Sequence, residues 1–203
     1  MLVLKLCQQL CPEKINFSLS SKLGDGADGE VFSLQEENKV IKLGVLYECP
    51  NINLSQQYKK IETILSFIKD NCPDAYAQVY ESGCLGSFNR KIDWDQSNQN
   101  YILYYYIMEK LHKISDDEKK VFHSILSHED RNLKKNFSIF KIKKMLDGMA
   151  RALDFDKQKI ILFCEKLQNT VIIHNDIHVR NIMKDNAGNF KLIDFDRATL
   201  KQS

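Results

Sequence analysis

Three glycines, Gly24, Gly26 and Gly29, stand at GxGxxG spacing between two β-type runs, Phe17 to Leu23 and Glu30 to Leu34. The element after the last glycine decides the fold class. A helix would make the turn part of a parallel, dinucleotide-binding unit with a pyrophosphate on the helix N-terminus. The run from Glu30 to Leu34 is β-type instead, which predicts a glycine hairpin in an antiparallel sheet. Residues lacking Cβ let a backbone approach phosphates closely, and the bland alternative is a flexible turn. Asp25 and Asp28 argue mildly against a phosphate site.

A third strand, Lys39 to Val45, carries Val40-Ile41-Lys42; alternation puts Val40 and Lys42 on one face and Ile41 on the other. Asn53 with Gln56 reads as a helix start. That helix runs to about Asn71, where Pro73 stops it, with Leu54, Tyr58, Ile61, Leu65 and Ile68 as its apolar stripe. Glu62 lies at the edge of the stripe, where it can point inward toward Lys42 or pair with Lys59 at the surface. Two more strands, Ala77 to Ser82 and Tyr101 to Met108, are expected, the second central because it is continuously apolar and aromatic. The polar stretch Asn89 to Asn100, with Trp94 in it, reads as their loop. Beyond Glu109-Lys110-Leu111 the pattern turns helical, with helices expected over Ser115 to Leu126, Ser138 to Leu153 and Asp156 to Gln168.

The stretch from Thr170 to Arg197 concentrates the chemistry. His174, Asp176, His178, Asn181 and Asp194 alternate with short β-like runs, so strands fix the backbone while loop ends aim polar groups at one place. One carboxylate there can accept a proton while an amide oxygen and a second carboxylate offer hard ligands to Mg²⁺.

Composition narrows the classes. The 203 residues are 43% hydrophobic and 28% charged, with 29 Lys and Arg against 27 Asp and Glu. A net charge of +2 gives no electrostatic case for nucleic acid. The Lys134-Lys135 and Lys141 to Lys144 clusters read as solvated helix faces. Six scattered cysteines (7, 11, 49, 72, 84 and 164) without a CxxC pair suit a reduced, cytoplasmic compartment. His123 and His128, with Glu129 adjacent, have poor metal spacing. No run approaches the ~20 apolar residues of a membrane span, and the start shows no signal-peptide core.

In order along the chain, these features resemble the protein-kinase-like superfamily from about Leu23 to Arg197. Gly24 to Val31 is similar to the GxGxxGxV nucleotide loop, Val40-Ile41-Lys42 to the lysine strand, His174-Asn175-Asp176 with Asn181 to the HxDxxxxN catalytic loop, and Asp194-Phe195-Asp196 to the DFG metal loop. The resemblance implies a two-lobed α+β fold. Residues 1–108 would form an N-lobe with a five-stranded antiparallel sheet and one main helix, 109–111 a hinge, and 112–203 a reduced, mainly helical C-lobe. It further implies ATP and Mg²⁺ as cofactors. Lys42, held by Glu62, would bind phosphates covered by Gly24, Gly26 and Gly29. Asn181 and Asp194 would hold the metal, and Asp176 would take the acceptor's proton. Adenine would sit between Val31 and Met183, with backbone hydrogen bonds from Glu109 to Leu111, and His174 would pack beside Phe195.

The departures matter as well. Asn175 replaces the arginine that grips an activation-loop phosphate. His178 resembles the histidine of aminoglycoside and choline phosphotransferases and of haspin-type kinases, and Asp196 is similar to lipopolysaccharide core sugar kinases. Only residues 195–203 come after Asp194, where the family has its activation segment and peptide-binding helices, so the expectation is either a minimal kinase whose acceptor site comes from its own helices or a partner protein, or a truncated, inactive relative. The leading expectation is an atypical protein Ser/Thr kinase. Alternatives are a small-molecule or sugar kinase, a nucleotide-binding pseudokinase, and a dinucleotide-binding oxidoreductase that requires a helix after Gly29.

Overall fold

The computed structural model describes residues 3–26, 29–35, 38–48, 53–92, 95–128 and 138–201, with the side chains of 90–92, 95–99 and 128 left aside. Ala27, Asp28, Cys49, Trp94, Glu129, Lys134 and Lys135 lie outside the described residues. The fold is mixed α+β. The chain divides into two compact units, Met1–Asn71 with Gln78–Lys110, and Cys72–Ala77 with Leu111–Ser203.

The first unit is built on a five-stranded antiparallel sheet. Helix α1 (Val3–Leu10) and a 3-10 turn (Pro12–Lys14) precede β1 (Leu19–Gly26), β2 (Gly29–Leu34), β3 (Lys39–Tyr47), helix α2 (Leu54–Asn71), β4 (Val79–Ile92) and β5 (Asp95–Glu109). The sheet order is β1-β2-β3-β5-β4, which places the aromatic β5 inside the sheet. Because β2 starts at Gly29, the helix needed for a dinucleotide-binding turn does not exist, and the oxidoreductase alternative falls.

Each face of this sheet has its own helix. Ile41, Leu43, Val45, Leu103 and Ile107 pack with Val3, Cys7 and Cys11 of the N-terminal segment. The lead-in is therefore a helix that closes one side of the core. Its N-terminus is tied down by the buried Glu30, whose carboxylate accepts from the Leu4 N–H at 2.9 Å and from Lys22 Nζ at 2.7 Å. A carboxylate suits a helix N-terminus, where free N–H groups carry partial positive charge. On the other face α2 buries Ile61, Ile64, Leu65 and Ile68, each contributing ~1.5–3 kcal/mol on removal from water. The Asn53 side chain accepts from the Gln56 N–H at 3.0 Å, so the N-cap falls where the sequence places it.

One expectation about this sheet fails. The stretch from Asn89 to Asn100 is not a loop: β4 and β5 run through it as a ribbon, pairing Asn89 with Asn100, Arg90 with Gln99 and Lys91 with Asn98. Antiparallel pairing satisfies the backbone whatever the side chains, so polar composition alone does not end a strand.

The second unit contains β6 (His112–Lys113), α3 (Asp116–His128), α4 (Ile139–Met149), α5 (Lys157–Asn169), β7 (Ile172–Ile173), β8 (Ile182–Lys184), β9 (Phe190–Leu192) and β10 (Thr199–Leu200). Helix α4 ends earlier than expected, with Ala150 as its C-cap. Ser115 and Glu118 form a reciprocal capping box on α3, with bonds of 2.8 and 3.2 Å. The nearly buried Glu118 also pairs with Lys184 of β8, which fastens the helix start to the strand that follows the Val179–Asn181 turn. Asp156 caps α5 through the Lys159 N–H at 3.0 Å. Phe122, Phe163 and Phe190 meet at ring separations of 5.0 to 6.0 Å and join α3, α5 and β9 into one core. Residues 72–77, which the sequence places in the first lobe, join this unit because the Ala77 N–H donates to Leu192 O and the Leu192 N–H to Ala75 O. Among the described residues no helix is long and apolar enough to cross a membrane.

Candidate active site

In the first unit, the expected nucleotide-binding residues lie on β1, β2 and β3. Gly26 pairs with Gly29, and Val31 with Lys42, so Val31 and Lys42 share a face of the sheet. Lys42 is only 7% exposed, and its Nζ lies 5.8 Å from the centre of the Tyr106 ring. Tyr104, on the same face as Tyr106, touches Tyr58 of α2 at a ring separation of 6.1 Å, so Lys42 points to the side of the sheet that α2 covers.

The three glycines have different reasons to be glycine. A Cβ on Gly29 would overlap the Leu43 carbonyl oxygen, so close packing of β2 on β3 requires that residue. A Cβ on Gly24 or Gly26 would meet no heavy atom within 4 Å. Packing does not demand glycine there, and the open space fits a ligand that must approach the backbone.

Glu62 is exposed on α2, one turn after the half-buried Tyr58. Burial, with Glu62 adding to it, raises the Tyr58 phenol to about 12. Glu109 ends β5 with its N–H committed to Gln78 O at 3.0 Å, and the Lys110 N–H goes to Asn38 O at 3.1 Å. Neither donor is left for a base, which limits the expected adenine contacts to the Glu109 carbonyl and Leu111.

In the second unit, the chain turns sharply after β7. Tyr76, His174 and Phe195 are buried against one another, with ring separations of 6.1 to 6.4 Å. His174 Nε2 lies 2.8 Å from Ile193 O, where it serves as the donor. Burial pushes its pKa down, so the ring is a neutral strut. Its structural place beside Phe195 is the expected one.

Asp176 is half-buried, and His178 Nε2 approaches its Oδ2 at 3.8 Å. A 3-10 turn, Val179–Asn181, then carries the chain into β8. Asn181 is buried, and its Nδ2 donates to Asp176 O at 3.0 Å. Its own carbonyl accepts from the Ile193 N–H at 3.0 Å. One residue therefore ties the Asp176 loop to the backbone just before Asp194. Asp194 takes φ 67°, a left-handed conformation that a non-glycine residue holds at a cost of ~1–3 kcal/mol and that clusters at functional sites. Met183 is half-buried in β8, opposite Lys191.

These residues fit a divalent metal bound together with its nucleotide. The Asn181 amide spends its N–H on Asp176, leaving Oδ1 as the acceptor end, and Asp194 adds a carboxylate. No group of three or more His, Cys, Asp or Glu side chains able to hold a metal occurs among the described residues. Two oxygen ligands suit Mg²⁺, which takes the rest of its octahedron from phosphates and water.

Residues 107–201 match the model of the phosphotransferase enzyme family (APH). The matched segment contains Asp176, Asn181 and Asp194. No curated protein matches the chain. Among solved structures, the kinase domain of PF14_0431 is 21% identical with a TM-score of 0.45, covering 92% of this chain and 52% of that one. WbdD is 17% identical with a TM-score of 0.43, covering 91% and 34%. The chain thus spans about half the length of the first and a third of the second.

Two further residues shape the site without any local signal in the sequence. Tyr76 braces His174 and Phe195 from a segment about a hundred positions upstream, and Asn175 bonds to the segment after Asp194. Both act through contacts distant in sequence, which motif and periodicity do not register.

Proposed function

We propose that the protein is an ATP- and Mg²⁺-dependent phosphotransferase that moves the γ-phosphoryl group to a hydroxyl acceptor. The observation that carries this reading is Asn181, whose side chain donates to the Asp176 loop and whose backbone carbonyl accepts from the Ile193 N–H, inside the region matched by the phosphotransferase family. Asp176 accepts the hydroxyl proton as the acceptor oxygen attacks the γ-phosphorus and the bond to ADP breaks. Gly24, Gly26 and Gly29 lay backbone over the phosphates, and Lys42 meets their charge. Asn181 and Asp194 hold Mg²⁺, which offsets phosphate charge when bound. Val31 and Met183 flank the adenine, the Glu109 carbonyl and Leu111 meet its edge, and Glu62 supports Lys42. Residues 109–111 serve as the hinge between 1–108 and 112–203.

The acceptor we favour is a protein Ser or Thr, in an atypical kinase working in the cytoplasm, with a partner protein completing the acceptor site. A small-molecule or sugar acceptor is the second reading, favoured by His178 at 3.8 Å from Asp176. A half-exposed imidazole beside the base can hydrogen-bond a small polyol that a peptide would cover. The test is incubation with γ-labelled ATP and a mixed panel of proteins, sugars and aminoglycosides, with Asp176→Ala as the blank. Label on any acceptor class supports the reading and names the class. ATP binding without transfer to any of them makes the chain a pseudokinase.

A further inference from the structure

Asn175 has left-handed backbone, φ 60°, immediately before the proposed base. Asparagine tolerates that region better than most residues, and here its side chain is put to use. Nδ2 lies 2.9 Å from Arg197 O, 3.0 Å from Thr199 Oγ1 and 3.3 Å from Ile173 O. The first two acceptors belong to the stretch after Asp194. That stretch also carries the two-residue pairing of β10 with β7, the Ala198 N–H to Phe195 O, and Lys201, whose N–H donates to Val171 O and whose Nζ donates to Gln168 O and Thr170 O.

We infer that Asn175 is a positioning residue that fixes the segment after Asp194 against the loop carrying Asp176, using only neutral hydrogen bonds to Arg197 O and Thr199 Oγ1. The inference rests on the phosphotransferase reading. It goes beyond that reading by assigning the relative placement of proton acceptor and metal ligand to a residue that touches neither substrate nor metal. Asn181 secures the approach to Asp194 and Asn175 secures the departure from it, so the Asp194 turn is held from both ends. A clamp of uncharged groups needs no phosphate and no cation to close.

Two substitutions separate the amide from the backbone shape. Asn175→Gly keeps φ 60° without strain and removes the donor, and Thr199→Val removes one acceptor while keeping the side chain's volume. In the full chain, Asn175→Gly should lower kcat by roughly tenfold or more while KM for ATP stays within about twofold. Thr199→Val should give a smaller loss in the same direction, and the double variant should lose less than the product of the two single losses, because they share one bond. Amide hydrogen exchange at 198–201 should speed up in Asn175→Gly with the core of α5 unchanged. Exchange does not depend on turnover. A wild-type protein without transfer would therefore sink the phosphotransferase reading, while exchange alone would still decide the clamp. Unchanged exchange at 198–201 overturns the clamp, and faster exchange with unchanged kcat overturns its role in transfer.

Discussion

The Asn181 side chain donates to the Asp176 carbonyl at 3.0 Å, while the Asn181 carbonyl accepts from the Ile193 N–H at the same distance. A single buried residue thus sets both the loop of the proposed base and the entry to the proposed metal ligand. Asn181→Asp keeps an oxygen ligand but loses the donor to Asp176. It should retain Mg²⁺·ATP binding with a reduced kcat, whereas Asn181→Ala should weaken Mg²⁺·ATP roughly tenfold to a hundredfold. Titration calorimetry at fixed Mg²⁺ measures the affinities and a transfer assay the turnover, and equal affinity in Asn181→Ala would remove the metal role.

The glycines should separate by mechanism. Gly29→Ala forces a Cβ into the Leu43 carbonyl and should cost about 1–3 kcal/mol of stability, read from urea unfolding. Gly26→Ala meets nothing within 4 Å, so its unfolding midpoint should stay near wild type while ATP affinity falls. A Gly26→Ala protein that binds ATP normally would argue for a plain turn.

His174 supplies a pH signature. Burial lowers its pKa below the ordinary 6.5, although Asp194 and Asp176 oppose the shift. As pH falls below about 6.5, the unfolded chain takes up this proton before the folded one does. The histidine's contribution is therefore intact above that value and is lost as pH falls through the folded-state pKa. His174→Gln should flatten this part of the stability curve and lower stability at pH 8, where the stacked ring is missed. A curve with unchanged slope between pH 5 and 7 would show that His174 is not buried neutral.

What the sequence revealed was whatever depends on near neighbours. The Asn53 cap, the strand after Gly29 and the placement of Lys42 and Ile41 on opposite faces of β3 follow from local chemistry and alternation. The ribbon through Asn89 to Asn100 did not show, because its backbone pairing is blind to side-chain polarity. Residues 72–77 join the second unit through bonds to Leu192, more than a hundred positions away, which no local pattern encodes.

The role proposed for Asp176 is to accept the proton during phosphoryl transfer without holding the nucleotide. Asp176→Ala tests it in one experiment that measures labelled-phosphate transfer and ATP affinity on the same preparation. Transfer should drop by at least about a thousandfold while ATP affinity stays within about twofold of wild type. Undiminished turnover, or loss of ATP binding in step with activity, would contradict that role.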